Sequence, residues 1–191
     1  MDIADTTLEI QTLGRFSISV AGKYVATEWP DEMMKVLFCS LLSPLDLYFT
    51  WDRLCRSVWG VPATPTSRRR LVETFIRPLN SFLTKELGFN PLITGQEGIR
   101  IAQQRIHLDA TEFHSAVVEG IGLLSLGDQA AALEKFNRAT SLYSGSYLPG
   151  IPGKIIANTR IELESLYQTA VMDAMPLARN SGTLRQSMKN R

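Results

Sequence analysis

The sequence predicts two lobes in succession: a mixed α+β lobe over about residues 1–107, then an all-α lobe over about 108–180, with an irregular polar tail at 181–191. This division rests on three observations. Apolar and polar residues alternate with a period of two near the start, the signature of half-buried strands. Runs of 3.6-residue periodicity, punctuated by Gly and Pro, follow in the middle. From Asp109 onward only the helical period remains.

Taken in order, Leu8 to Val20 alternates around Gly14, and Ala21-Gly-Lys-Tyr-Val turns into a further short strand, so a small antiparallel sheet opens the chain. Pro30, Asp31 and Glu32 suit a helix N-terminus ahead of Met33, Met34, Val36, Leu37, Leu41 and Leu42, and Ser43-Pro44 ends that helix. A helix of about ten residues follows, with Thr50 as N-cap, Leu54, Val58 and Trp59 on one face, and Gly60 as the stop. After the breaker cluster Val61 to Ser67, a longer helix is expected from about Ser67 to Leu87. Leu71, Val72, Phe75, Ile76, Leu79, Phe82 and Leu83 share one apolar arc, and Arg70, Thr74 and Arg77 lie on the opposite side. Pro91 to Ile101 has the form strand, Gly-flanked turn, strand. Three helices complete the pattern: Ala110 to Leu126, Asp128 to Tyr143, and Ile155 to about Leu177. Ala130 to Ala139 places small residues and Phe136 as two-helix (TPR-like) repeats do, but too few units fit for an array.

Composition narrows the function classes. Of 191 residues 45% are hydrophobic, enough for a core, and no apolar run is long enough to cross a bilayer. Met1 to Asp5 does not read as a signal peptide, so the expected compartment is the cytoplasm, with no membrane partner. Cys39 and Cys55 lie inside apolar helical patterns and read as core filler. Net charge is +1, so binding to nucleic acid must come from a local patch.

Two strands, three helices and a hairpin make the layout of a winged helix-turn-helix of the OmpR and PhoB kind. Leu13-Gly-Arg-Phe, Ala21-Gly, Leu54 to Trp59, Gly98-Ile-Arg-Ile, Leu108-Asp-Ala-Thr-Glu-Phe and Tyr143-Ser-Gly-Ser-Tyr-Leu-Pro-Gly occur in that order. This series resembles the Streptomyces antibiotic regulatory protein family, in which such a winged helix joins a bacterial transcriptional activator domain. The resemblance covers residue 8 to about 178 and takes in only the beginning of the activator domain. It implies that the helix from Ser67 enters the major groove of double-stranded DNA and that the hairpin acts as a wing. It also implies contact with RNA polymerase or a second copy of the chain.

The residues fit this in part. Ser67, Arg68, Arg69 and Arg70 open the third helix, and Thr74 and Arg77 extend its exposed side. Arginine meets phosphate and forks onto guanine. Thr50 and Trp51 offer a hydroxyl and an indole N–H to a phosphate, and Arg100 is the wing cation. The competing reading of three consecutive arginines is a solvated helix face, with a small cost against the helix dipole.

The chain departs from its relatives where they carry an Arg-Leu-Arg-Arg run in the third helix: here stand Pro78, Leu79, Asn80 and Ser81. Pro78 predicts a kink or break between Thr74 and Pro78. Asp31 and Glu32 replace basic residues of the first helix. Weak DNA binding follows, and with it an alternative: a degenerate winged-helix scaffold that serves as a protein-interaction module. No catalytic, cofactor or metal site is expected. His107 and His114 lie far in sequence from the two cysteines, and Gly150-Ile-Pro-Gly-Lys lacks the phosphate-loop spacing.

Overall fold

In strand β1 (Leu8–Gln11) Leu8 and Ile10 are buried while Glu9 and Gln11 face outward, as the period of two requires. The structure, a computed structural model, describes residues 7–25, 28–46 and 48–189, the side chains of Gln103 and of 180–189 excepted. Strand β1 pairs antiparallel with β2 (Ser17–Val20), Leu8 opposite Val20, and β2 pairs with β3 (Lys23–Tyr24). Helix α1 (Glu32–Leu41) begins where the Asp31 carboxylate accepts from the Met33 and Met34 N–H groups, at 2.7 and 3.2 Å. It buries Met34, Leu37, Phe38 and Leu41. Strand β4 (Phe49–Thr50) leads directly into α2 (Trp51–Trp59), capped by the Thr50 hydroxyl and stopped by Gly60 at φ 73°.

The third helical segment starts two residues earlier than the pattern suggests. Thr64 is its N-cap and Pro65 its first residue, and Thr64 and Ser67 cap each other reciprocally. Helix α3 (Pro65–Leu71) passes into a π-turn (Val72–Ile76) and then α4 (Arg77–Leu87), without a break. The expected kink is thus resolved as a π-turn. The Arg77 N–H reaches back five residues to the Val72 carbonyl, which places Pro78 in the first turn of α4, where a missing N–H costs little.

Strands β5 (Leu92–Thr94) and β6 (Gly98–Ile101) form the hairpin, and β6 also pairs with β4. Gly98 lies so close to β4 that a Cβ would run into the Phe49 carbonyl. A 3₁₀ turn (Gln103–Arg105) leads to β7 (Ile106–Leu108), which lies parallel to β1, giving the sheet order β3-β2-β1-β7.

Helices α5 (Asp109–Ser125), α6 (Gln129–Leu142) and α7 (Lys154–Lys189) form the second lobe, around Phe113, Val117, Phe136 and Leu163. Helix α7 continues where the sequence pattern suggests an irregular tail from 181. Ser181, Gly182 and Thr183 are poor helix formers, Gly182 costing about 1 kcal/mol against alanine, while Leu184, Arg185, Gln186, Met188 and Lys189 beyond them are good ones. The last two positions of the expected tail, Asn190 and Arg191, lie outside the described residues. Among the described residues no helix is long and apolar enough to cross a membrane.

The lobes are tied by a dense polar clasp. The Asp109 carboxylate accepts from the Thr12 N–H (2.8 and 2.9 Å to its two oxygens), the Thr12 hydroxyl (2.7 Å), the Leu13 N–H (3.0 Å) and the Ala110 N–H (2.7 Å). Gly14, at φ 82°, donates to the Ser146 carbonyl, and a Cβ there would meet Ser144. Leu148, a buried leucine at φ 43°, is held in the left-handed region by its N–H on the Thr12 carbonyl and by Arg160 on its own carbonyl. Arg160 also donates to the Tyr147 and Ile151 carbonyls. Arg160 thereby caps the loop that precedes its own helix.

Candidate nucleic-acid interface

A concave surface of about 840 Å³ opens between the start of α2, the α3–π–α4 segment and the hairpin tip. It is lined by Thr50, Trp51, Arg68, Arg69 and Arg77 together with Asp52, Glu73 and Glu97. Five of the nine residues expected to contact DNA therefore share one surface.

The π-turn decides which arginines meet. On a straight helix Arg77 would share a face with Arg70 and Thr74. One extra residue in a turn rotates everything downstream by about 100°. Arg77 consequently lines up below Val72, beside Arg68 and Arg69, whereas Arg70 and Thr74 lie off this surface. Arg70 instead rests on the Trp59 ring, 5.6 Å from its centroid.

The remaining side chains divide into committed and available groups. The Trp51 side chain is buried, and its indole N–H donates to the Gln96 carbonyl at 2.8 Å. It serves as a platform for Arg68, whose guanidinium lies 5.2 Å from its ring centroid, and its indole does not offer an N–H to a phosphate. Arg69 donates to Glu73 at 2.9 Å, one turn away, and that pairing raises the pKa of its guanidinium further. Ser67 is consumed by the reciprocal cap with Thr64. The Thr50 hydroxyl accepts from the Arg53 N–H, leaving its own proton to donate. Arg77 and Arg100 are exposed and form no ion pair with a described residue. Arg100 stands on the hairpin opposite Ile93.

Sequence reasoning missed the acids. Asp52 is held by Arg56 at 2.7 Å and by the Ala63 N–H, which together depress its pKa, and Glu97 sits at the hairpin tip. The i,i+4 spacings Asp52–Arg56 and Arg69–Glu73 are visible in the sequence, but that they flank the same concavity is not.

The fold is mixed α+β, with an N-terminal sheet followed by helices. No family model matches the chain, and no curated protein matches it. Among solved structures it is similar to Mycobacterium tuberculosis EmbR, determined in complex with a low-affinity phosphopeptide. The TM-score is 0.57 at 16% identity, over 91% of this chain and 44% of the EmbR chain. This chain thus spans less than half of EmbR, and the likeness is one of fold.

Proposed function

We propose that the protein is a DNA-binding transcription regulator of the winged helix-turn-helix type, similar to the Streptomyces antibiotic regulatory proteins. In this reading α3, the π-turn and α4 form the recognition segment in the major groove, α2 braces it, and the β5–β6 hairpin is the wing. The protein works by positioning and carries out no reaction. Arg68 and Arg77 supply phosphate contacts from one face, Thr50 adds a hydroxyl, and Arg100 reaches the backbone from the hairpin. The helical lobe contacts RNA polymerase or a second copy, the latter adding a linked contact to a weak single site. The observation that carries this reading is the gathering of Arg68, Arg69 and Arg77 on one concave, exposed surface.

A second reading has its own support. Three carboxylates, Asp52, Glu73 and Glu97, line that surface beside the three arginines, which leaves little net field for a polyanion. On this reading the lobe is a degenerate winged-helix scaffold that binds protein. Selection from a library of genomic fragments, with the bound fragments sequenced at low and at physiological salt, separates the two. Enrichment of a repeated motif supports the regulator; weak binding that vanishes by physiological salt with no motif supports the scaffold.

A further inference from the structure

A second cavity, of about 350 Å³, lies at the junction of the two lobes, away from the arginine surface. Its apolar wall is made by Leu41 and Leu42 at the end of α1, Phe49 of β4, and Ile106 and Leu108 of β7. Its polar wall carries Asp46 and Ser43 from the first lobe, His107 of β7, and Thr111, Glu112 and Ser115 from α5. Both carboxylates are fixed in place. Asp46 is gripped by both terminal nitrogens of Arg53 and faces the Ser43 hydroxyl at 3.3 Å. Glu112 accepts from Arg138 and stands 3.2 Å from His107 Nε2. Among the described residues no lysine or arginine lines this cavity. Its size and its place between lobes are those of small-molecule sites, and preorganised polar groups facing an apolar wall are what such sites use to orient a ligand.

The geometry points to a binding site for a small, largely apolar molecule bearing a hydrogen-bond donor, neutral or cationic, that regulates the arginine surface through β4. Anions are disfavoured because the formal charges on the polar wall are the carboxylates Asp46 and Glu112, the His107 imidazole being already turned to Glu112. The coupling route is two residues long. Phe49 lines this cavity, and the next residue, Thr50, lines the arginine surface and caps α2. A ligand pressing on Phe49 displaces Thr50 and Trp51, on which Arg68 rests. This regulatory half rests on the proposed DNA-binding role; occupancy of the cavity does not.

The test is an NMR titration of the ¹⁵N-labelled full chain with tryptamine, indole and indole-3-acetate, one apolar body in cationic, neutral and anionic forms. The expected result is saturable shifts at Ser43, Phe49 and 106–115, with tryptamine at least about threefold tighter than indole-3-acetate, a modest factor because Arg53 and Arg138 already offset the carboxylates. Ser115→Trp and Thr111→Trp, both at exposed positions of α5, fill the cavity and remove those shifts. No saturable shift in the wild type overturns the site, and tightest binding of the anion overturns the ligand class. On DNA, saturating tryptamine changes the Kd by about threefold or more, and not in Ser115→Trp. Saturable shifts with unchanged DNA affinity overturn the regulatory half, whereas saturable shifts with no DNA binding at all overturn the DNA reading and leave the site standing.

Discussion

Replacing Asp109 with alanine removes one carboxylate and strands several donors at once. The Thr12 N–H and hydroxyl, the Leu13 N–H and the Ala110 N–H all lose their acceptor, and Thr12 and Leu13 are at most 1% exposed. A buried donor left without a partner costs about 1–3 kcal/mol, and hydrogen bonds to charged groups lie at the upper end of the usual range. Partial entry of water recovers some of this, so the expected loss is about 3–5 kcal/mol. For a chain of this size that lowers Tm by roughly 8–15 °C. Asp109→Asn keeps one carbonyl acceptor but turns an amide donor toward other donors, so about half of the loss is expected. Urea unfolding followed by circular dichroism measures both, with Glu119→Ala, which breaks only the exposed pair with Lys135, as a control expected to unfold at the wild-type midpoint. A loss below about 1 kcal/mol for Asp109→Ala would refute the clasp as the link between the lobes.

Three further outcomes are expected. Gly98→Ala pushes a methyl group into the Phe49 carbonyl, so β6 must separate from β4; amide exchange at Phe49 and Ile99 should accelerate, and unchanged protection would contradict the close approach. Pro78→Ala makes an uninterrupted α-helix accessible and swings Arg77 away from Arg68; NMR contacts between the turns at Val72 and Arg77 should shift from five-residue to four-residue spacing, and a retained π-turn would show that Pro78 does not select it. Half-burial lowers the His114 pKa below its ordinary 6.5, so the unfolded chain binds that proton first. His114 therefore contributes stability that is present above pH 6.5 and is lost as pH falls through its lower folded value. His114→Gln should flatten this part of the stability profile, and an unaltered profile would count against it.

The strands, caps and helix stops were legible because each is local. Thr50, Asp31 and Gly60 act on neighbours within a turn, and the alternation in β1 reports burial directly. The parallel placement of β7 beside β1 was not legible, since three residues carry no readable period and the partner is remote in sequence. The site shows the same division. Arginines on one helix were visible, but their phase depends on whether the strain at Pro78 is relieved by a kink or by a π-turn, and both accommodate the proline ring and the carbonyl that it leaves without a donor. Likewise, Tyr143 to Gly150 and Asp109, which carry the family resemblance, fold into the clasp between the lobes and lie away from the arginine surface. The resemblance therefore reports on the scaffold more than on the proposed DNA contacts.

In the proposed regulator, Arg68 and Arg77 act together on the DNA backbone. The most direct measurement is fluorescence anisotropy on a genomic fragment recovered by selection, over a salt series, for wild type, Arg68→Ala, Arg77→Ala and Lys135→Ala. Arg68→Ala and Arg77→Ala should each weaken binding and reduce the slope of log K against log salt by about 0.9, the loss of one phosphate contact, while Lys135→Ala leaves both unchanged. Equal behaviour of all four proteins would contradict the joint role of the two arginines.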